Sequence, residues 1–492
     1  MTNNYITKTD FLLYLDSPLH LWAFKNNKVP REQIDIFLQH LFQQGYDVEK
    51  YAKEYINQYL IPQYRAKEGD YLFQPTVKEE GKESEDEERN EGRKKGVRGG
   101  KYEARTDFII KNPATNKWDI YEIKSTTKVE KDHKYDATFQ YLVFRKKYDV
   151  GDTYILHLNK EYVRDGEISL KDLFVAEKVN EDIQKLKDEV LTLRYDAYLI
   201  AKQEDREGIE GCIRPKKCPC VSICHPNLPE YSIYDINNIT QNENKVRALE
   251  MVGKDIQDVP KDFKLSTKQR LQVDMAQRNE TYINKEGIKE RFEELTYPIF
   301  FLDYETFNPA IPLFNGYKPF DHITFQYSVH VKTDKDSELD HYEYIHTKKT
   351  DPIPTLLTSL KEIVGCKGSI VVWNKSFEGS RNTRMGEIHP EYEEFCENMN
   401  ERMFDLMEIF RDQLYIDPKI KGSYSIKQVL PLLVPELKYE DLNIKEGASA
   451  MINWHEMVYG TGDDVKDSLL KYCELDTLAM VRIWEEIEKV IK

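Results

Sequence analysis

Phe300-Phe301-Leu302-Asp303-Tyr304-Glu305-Thr306 is an apolar run that ends in an acidic pair. Its aromatic content predicts a strand, and residues two apart on a strand share a face, so Asp303 and Glu305 can hold one divalent cation between them. Further along, Asn374-Lys375-Ser376-Phe377-Glu378 follows a strand-like run at residues 369–373, which puts Glu378 at the start of the next helix. Close to the end of the chain, Tyr472-Cys473-Glu474-Leu475-Asp476 carries a tyrosine four residues ahead of an aspartate, and on a helix these two share a face. Four carboxylates drawn together from separate elements repel one another unless divalent cations neutralise them. Two Mg2+ or Mn2+ ions so held would activate a water and stabilise the leaving oxygen of a phosphodiester, with Tyr472 placed to orient the water. Either motif alone reads as a solvated strand edge or helix face. Their joint occurrence in this order points to nucleic-acid hydrolysis.

Around these motifs, residues 322–331 and 341–347 read as strands, 352–364 as a helix and 368–373 as another strand. Three consecutive strands, a crossover helix and a fourth strand are the order expected of a ribonuclease-H-like fold. The region resembles the DEDD-type, DnaQ-like 3'-5' exonucleases of the tyrosine subclass. That resemblance implies Asp303 and Glu305 as first-motif metal ligands, Glu378 as the second-motif ligand, Asp476 as the last ligand and Tyr472 as the water-positioning residue. The second motif of that family usually ends in Asp, and Glu378 adds a methylene that alters metal spacing. Asp405 falls where such domains carry a structural aspartate. Gly422-Ser423-Tyr424-Ser425-Ile426-Lys427 can hold a phosphate through Ser423 and Lys427, or simply cap a helix through Ser423 or Ser425.

In the N-terminal half, Thr106-Asp107-Phe108 and Tyr121-Glu122-Ile123-Lys124 form an Asp, a turn and then Glu-x-Lys on a second strand. Glu122 and Lys124 share a strand face; Asp107 and Glu122 can ligate a divalent ion while Lys124 stabilises charge on an attacked phosphate. Glu-x-Lys is also common on exposed strands. With the following Ser125-Thr126-Thr127, a helix carrying Gln140 and cysteines downstream, this half resembles the RecB-like PD-(D/E)XK nucleases, including iron-sulfur exonucleases of CRISPR adaptation. The resemblance maps Asp107, Glu122 and Lys124 to metal and catalytic positions, Gln140 to the helix motif that meets nucleic acid, and Glu49 to an upstream carboxylate.

Cys212, Cys218, Cys220 and Cys224 offer four thiolates within thirteen residues, a density that favours a metal centre. Their spacing suits zinc or iron-sulfur equally. The RecB-like resemblance favours a [4Fe-4S] cluster, with zinc as the alternative. Such proteins take one ligand from an early Cys-Pro, where this chain has Ser17-Pro18, so Cys212 is the expected replacement.

At 492 residues, with 40% apolar content, two or three cores are expected. The expected architecture is α/β with two domains. A RecB-like domain spans residues 1–235, a charged helical connector 236–293 and a ribonuclease-H-like domain 294–492. The segment 78–101 is nearly all charge and glycine and reads as a mobile loop. The net charge of −16 excludes a broad basic surface, so nucleic acid must be met through a local patch or bound metal. Seven cysteines, an odd number, and no long apolar run suit a cytoplasmic protein without membrane contact. The full layout resembles a bacterial family of unsettled function that pairs RecB-like and DnaQ-like halves. The likeness lies in YPIFFLDYETFNPAIP, FQYSVHV, GSYSIKQVLP and YCELDTLAMV. Single-stranded DNA is the expected substrate. RNA processing, or a nucleic-acid-binding scaffold with one degenerate site, is the alternative.

Overall fold

Short runs rich in β-branched and aromatic residues build a five-stranded sheet in each of two compact units. The computed structural model describes residues 4–29, 36–81, 99–439 and 442–492. The mixed α/β class expected from the sequence is observed. The first unit comprises residues 1–35, 41–227 and 310–320, and the second 36–40, 228–309 and 321–492. The charged helical stretch at 236–293 therefore falls within the second unit, and residues 310–320 within the first.

In the first unit, β1 (Ile6–Thr7), β3 (Thr76–Glu80) and β4 (Lys101–Arg105) make a small sheet in the order β1-β4-β3. The larger sheet has the order β2-β5-β6-β7-β8, from β2 (Tyr71–Phe73), β5 (Phe108–Lys111), β6 (Trp118–Lys124), β7 (Val150–Leu158) and β8 (Phe174–Lys178). Only β6 and β7 run parallel, and helix α3 (Lys131–Phe144) provides the crossover that such a pair requires. The period of two in β5 sends Phe108 and Ile110 into one core and Ile109 into another, so both faces of the sheet are covered. The apolar spacing at residues 10–25 becomes two helices, α1 (Lys8–Asp16) and α2 (Pro18–Lys25). Ser17 is extended between them because a residue preceding proline disfavours the helical conformation. Of the segment expected to be a loop, residues 82–98 lie outside the described residues. Its ends are strands: β3 pairs antiparallel with β4, Glu80 opposite Lys101. Helix α4 (Asn180–Lys202) precedes the cysteine-rich segment.

In the second unit the sheet order is β11-β10-β9-β12-β13, from β9 (Ile299–Phe307), β10 (Ile323–Lys332), β11 (Asp340–Ile345), β12 (Ser369–Val372) and β13 (Met403–Asp405). The first three are antiparallel; β12 and β13 add parallel to β9 after helix α5 (Ile353–Val364). Strand β10 is buried along nearly its whole length. Its polar residues meet the C-terminal helix α8 (Lys466–Ile491): Gln326 donates to the Leu469 carbonyl at 2.8 Å, and Ser328 bonds Thr477 at 2.8 Å. Helix α6 (Lys375–Ile388) leaves β12 through Asn374, whose side chain accepts the Phe377 N–H. Helix α7 (Ile426–Leu433) completes the surroundings of the cleft described below. No helix among the described residues is long and apolar enough to cross a membrane.

Candidate carboxylate cleft and thiol centre

Asp303, Glu305, Glu378, Tyr472 and Asp476 all line one cleft of about 450 Å³ in the second unit. Strand β9 supplies the first two from one face, α6 supplies Glu378 from its first turn, and α8 supplies Tyr472 and Asp476 one helical turn apart. The pairing of β9 with β10 shifts register between Glu305 and Thr306, and such a bulge re-aims the side chain beside it. Glu305, Glu378 and Asp476 are buried, while Asp303 is half-buried.

Burial, then Asp476, Glu305 and Glu378, push the Asp303 carboxyl well above the ordinary range. Burial and then Asp476 raise Glu305 against the pull of Lys427. Burial lifts Glu378 to about 8. Burial also raises Asp476 to about 6, although hydrogen bonds from Tyr439 and Tyr472 and the charge of Lys427 oppose it. Tyr439 Oη donates to Asp476 Oδ1 at 2.5 Å. Glu378 Oε2 is buried with no hydrogen-bond partner among the described residues. A buried carboxylate oxygen left without a donor is costly, and a cation removes that cost. Candidate ligand oxygens of Asp303 and Glu305, together with Cys473 Sγ, lie within 4.8 Å of one another. This group can hold a metal ion, and Glu378 and Asp476 line the same cleft without belonging to the group.

Lys427, at the start of α7, belongs to this cleft. Its ammonium lies over the rings of Tyr439 and Tyr472 and donates to the Lys445 carbonyl at 2.6 Å. Ser423 instead lines a separate small hollow with Gln272 and Tyr415, and its Oγ accepts the Ser425 N–H at 3.2 Å. The phosphate-holding pair expected from the sequence is thus split: Lys427 is at the site and Ser423 is a turn residue. Asp405 is buried, accepts the Met407 N–H and pairs with Arg411 at 3.4 Å, outside the cleft lining. Trp373, Phe377 and His322 contribute ring surfaces to the cleft. Nothing local in the sequence marks Tyr439 or His322 as members of this cleft, and Cys473, a scattered cysteine expected to be a small buried side chain, is buried beside Asp303.

In the first unit, Glu122 and Lys124 do share a face of β6, with Lys124 Nζ 3.1 Å from Glu122 Oε1. Two residues missed in the sequence complete the group. Lys124 Nζ also meets Asp136 of α3 at 2.5 Å, and Lys8 of α1 forms an ion pair with Glu122. Burial would raise Glu122, but Lys124 and Lys8 overcome it and hold its carboxyl down to about 2. Asp107 accepts the Ile123 N–H at 2.8 Å, and burial followed by Glu122 raises it to about 7. Gln140 is fully buried and donates to Asp136 at 2.8 Å, so it positions that carboxylate instead of presenting itself at a surface. Glu49 is held by Gln74 and Lys53.

The expected thiolate cluster is gathered in the first unit, with one substitution among its members. Donor atoms of Cys212, Cys218, Cys224 and His20 lie within 4.8 Å of one another, a group that can hold a metal ion. Cys220 stands beside it, with Sγ 3.7 Å from Cys224 Sγ. All seven cysteines are free thiols. His20 lies on α2, two residues after the Ser17-Pro18 that occupies the place of the early Cys-Pro.

Residues 300–425 match the model of a family described as a domain of unknown function, DUF2779. The matched stretch contains Asp303, Glu305 and Glu378 and stops short of Tyr472 and Asp476. An uncharacterized protein of Ureaplasma parvum serovar 3, UU173, is 28% identical over 304 residues, which cover 54% of this chain and 42% of that relative. The crystal structure of SSO0001 superposes with a TM-score of 0.28 at 13% identity, over 46% of this chain and 89% of that one.

Proposed function

We propose that the second unit is a metal-dependent 3'-5' exonuclease acting on single-stranded nucleic acid, DNA in the first instance. The observation that carries this reading is the convergence of four acidic side chains on one cleft, with Glu378 Oε2 unpartnered there. Asp303, Glu305, Glu378 and Asp476 would hold the cations, which supply a polarised phosphodiester and an activated water. Tyr439 fixes Asp476 by its hydrogen bond, so that carboxylate keeps one orientation. Tyr472 stays protonated, because burial and then the neighbouring carboxylates raise its phenol. Its single proton is given to Asp476, so the phenol oxygen orients an attacking water through its lone pairs, as an acceptor. Lys427 offsets part of the negative charge. Trp373, Phe377 and His322 offer faces on which unpaired bases stack, an interaction open to a single strand and closed to a duplex.

The first unit supports a different role. Glu122 is already neutralised by two lysines, so a cation entering there must displace Lys8. The residues fit a divalent cation poorly, and a nucleic-acid-holding module with a degenerate nuclease site is the better reading.

The test is a time course on single-stranded DNA and RNA labelled at the 5' end, with Mn2+ or Mg2+, for wild type, Asp476→Ala and Lys124→Ala. A 3'-shortening ladder lost only in Asp476→Ala is expected. Cleavage lost only in Lys124→Ala would move the chemistry to the first unit. No cleavage by any of the proteins would overturn the enzyme reading.

A further inference from the structure

His20 is the least expected member of the thiol centre. It comes from α2, some 190 residues away in sequence from the cysteines, yet its Nε2 lies 3.2 Å from Cys218 Sγ. The ring is almost wholly buried. Behind it, Asp16 Oδ2 lies 2.6 Å from Nδ1, off the line of an ideal hydrogen bond. A carboxylate on one ring nitrogen favours the tautomer that leaves the other nitrogen's lone pair free, the arrangement met behind histidines that ligate metals. A lone buried imidazole beside a thiol needs no metal, since one hydrogen bond satisfies it. Three sulfurs gathered with the ring, and a carboxylate behind it, are more than that bond requires.

The backbone holds α2 in this position independently of any metal. The Leu19 N–H and the Ser17 hydroxyl both donate to the Glu210 carbonyl, two residues before Cys212. Trp22 Nε1 donates to the Gln203 carbonyl at 3.0 Å. Leu19, Trp22 and Ala23 pack in one apolar cluster with Cys212, Cys220 and Cys224. Such a dry shell shields thiolates from solvent and oxidant.

Donor spacing discriminates between candidate metals. Around one tetrahedral zinc, with Zn–S of about 2.3 Å, ligand atoms stand roughly 3.5–4 Å apart. The four donors here lie within 4.8 Å of one another. A [4Fe-4S] cluster places its own irons and sulfides between the cysteines and needs its thiolates farther apart. Three cysteines and one histidine are also an established structural-zinc set.

We propose that His20, Cys212, Cys218 and Cys224 form a tetrahedral zinc site, with Cys220 outside the ligand set, and that this ion fastens α2 to the end of the first unit. Binding releases the thiol protons and leaves Nε2 of His20 as the neutral ligand. The inference is independent of the exonuclease reading, since it concerns a separate site in the other unit.

The full chain, purified anaerobically, tests it. Metal and acid-labile sulfide analysis should find one zinc per chain and no iron-sulfur cluster. Zinc affinity, measured by chelator competition, should fall by roughly tenfold or more in His20→Ala and stay near wild type in Cys220→Ser. Cobalt substitution guards against a merely misfolded variant. His20→Cys should retain one cobalt, with thiolate-to-cobalt absorption stronger by about a third as three sulfur ligands become four. Iron with sulfide in place of zinc, absence of any bound metal, or loss in Cys220→Ser equal to or greater than that in His20→Ala would each overturn the proposal.

Discussion

Glu378 joins legible sequence to illegible chemistry. Its place at the start of a helix followed from the strand before it, whereas its orphaned Oε2 depends on what the rest of the chain puts round it. The same holds for Lys427 and Tyr439, whose significance lies in meeting carboxylates from other elements. The pH behaviour follows from the direction of the shifts. Asp303, Glu305 and Glu378 are carboxyls whose folded-state pKa values are raised, so without metal the folded unit binds more protons than the unfolded chain. Their protonated forms cost nothing below the unfolded values near 4. Stability is then lost as pH rises through the folded values, which reach about 8 for Glu378. In EDTA, the second unit should therefore be less stable at pH 8 than at pH 5, by on the order of 2–4 kcal/mol, and melt at a lower temperature. Glu378→Gln should remove the share of Glu378 and leave that of Asp303 and Glu305, and Mn2+ should abolish the dependence. Thermal melts with equal midpoints at both pH values in EDTA would remove the basis for a cation-requiring cleft.

At the scale of elements, periodicity carried much of the site. A spacing of two on β9 and of four on α8 placed Asp303 with Glu305 and Tyr472 with Asp476, because each pattern follows from backbone geometry alone. Periodicity could not show the bulge after Glu305, nor which helix brings Lys8, Asp136 or His20 to its partners. Those depend on docking between elements far apart in the chain. The docking of α8 is itself polar: Thr477 Oγ1 meets Ser328 Oγ and His330 Nδ1, each at 2.8 Å, one residue beyond Asp476. Thr477→Val keeps the shape and removes the hydroxyl, taking from buried His330 Nδ1 its bond at a cost of about 1–2 kcal/mol, while Ser328 keeps its bond to His341. It should lower both the melting temperature and the rate of the proposed 3'-shortening, since the same bonds hold to β10 the turn of α8 that carries Asp476. Thr477→Ser should lie nearer wild type in both respects. The reverse order of the two variants would show that the methyl group, and not the hydroxyl, seats the helix.

For the whole molecule, the sequence reading puts a cut at residue 235, a short way past the last cysteine of the cluster, Cys224. The compact units divide differently: residues 228–235 belong to the second unit, and 310–320 to the first. The returning segment is knitted in by backbone and side chain together. Arg164 Nη1 donates to the carbonyls of Pro312 and Leu313, while its own N–H donates to Tyr317 O and its carbonyl accepts from Gly316. Ala310, Ile311 and Phe320 join the core formed by Phe108, Tyr121 and Leu156. No local pattern could have revealed this, because residues 310–320 follow β9 directly and read as part of the domain that β9 begins. Deleting them exposes apolar side chains worth on the order of 3 kcal/mol and takes two carbonyl partners from the Arg164 guanidinium, which keeps Gly166. A fragment of residues 1–235 should therefore be markedly less stable than the same fragment extended by a flexible linker to residues 310–320. Both would be compared at the same zinc concentration, so the thiol centre does not account for the difference. Thermal unfolding should show a gain of several degrees for the extended fragment, and Arg164→Ala should remove much of that gain. Equal midpoints would mean that the first unit is complete without the returning segment, and that a division at residue 235 is the physical one.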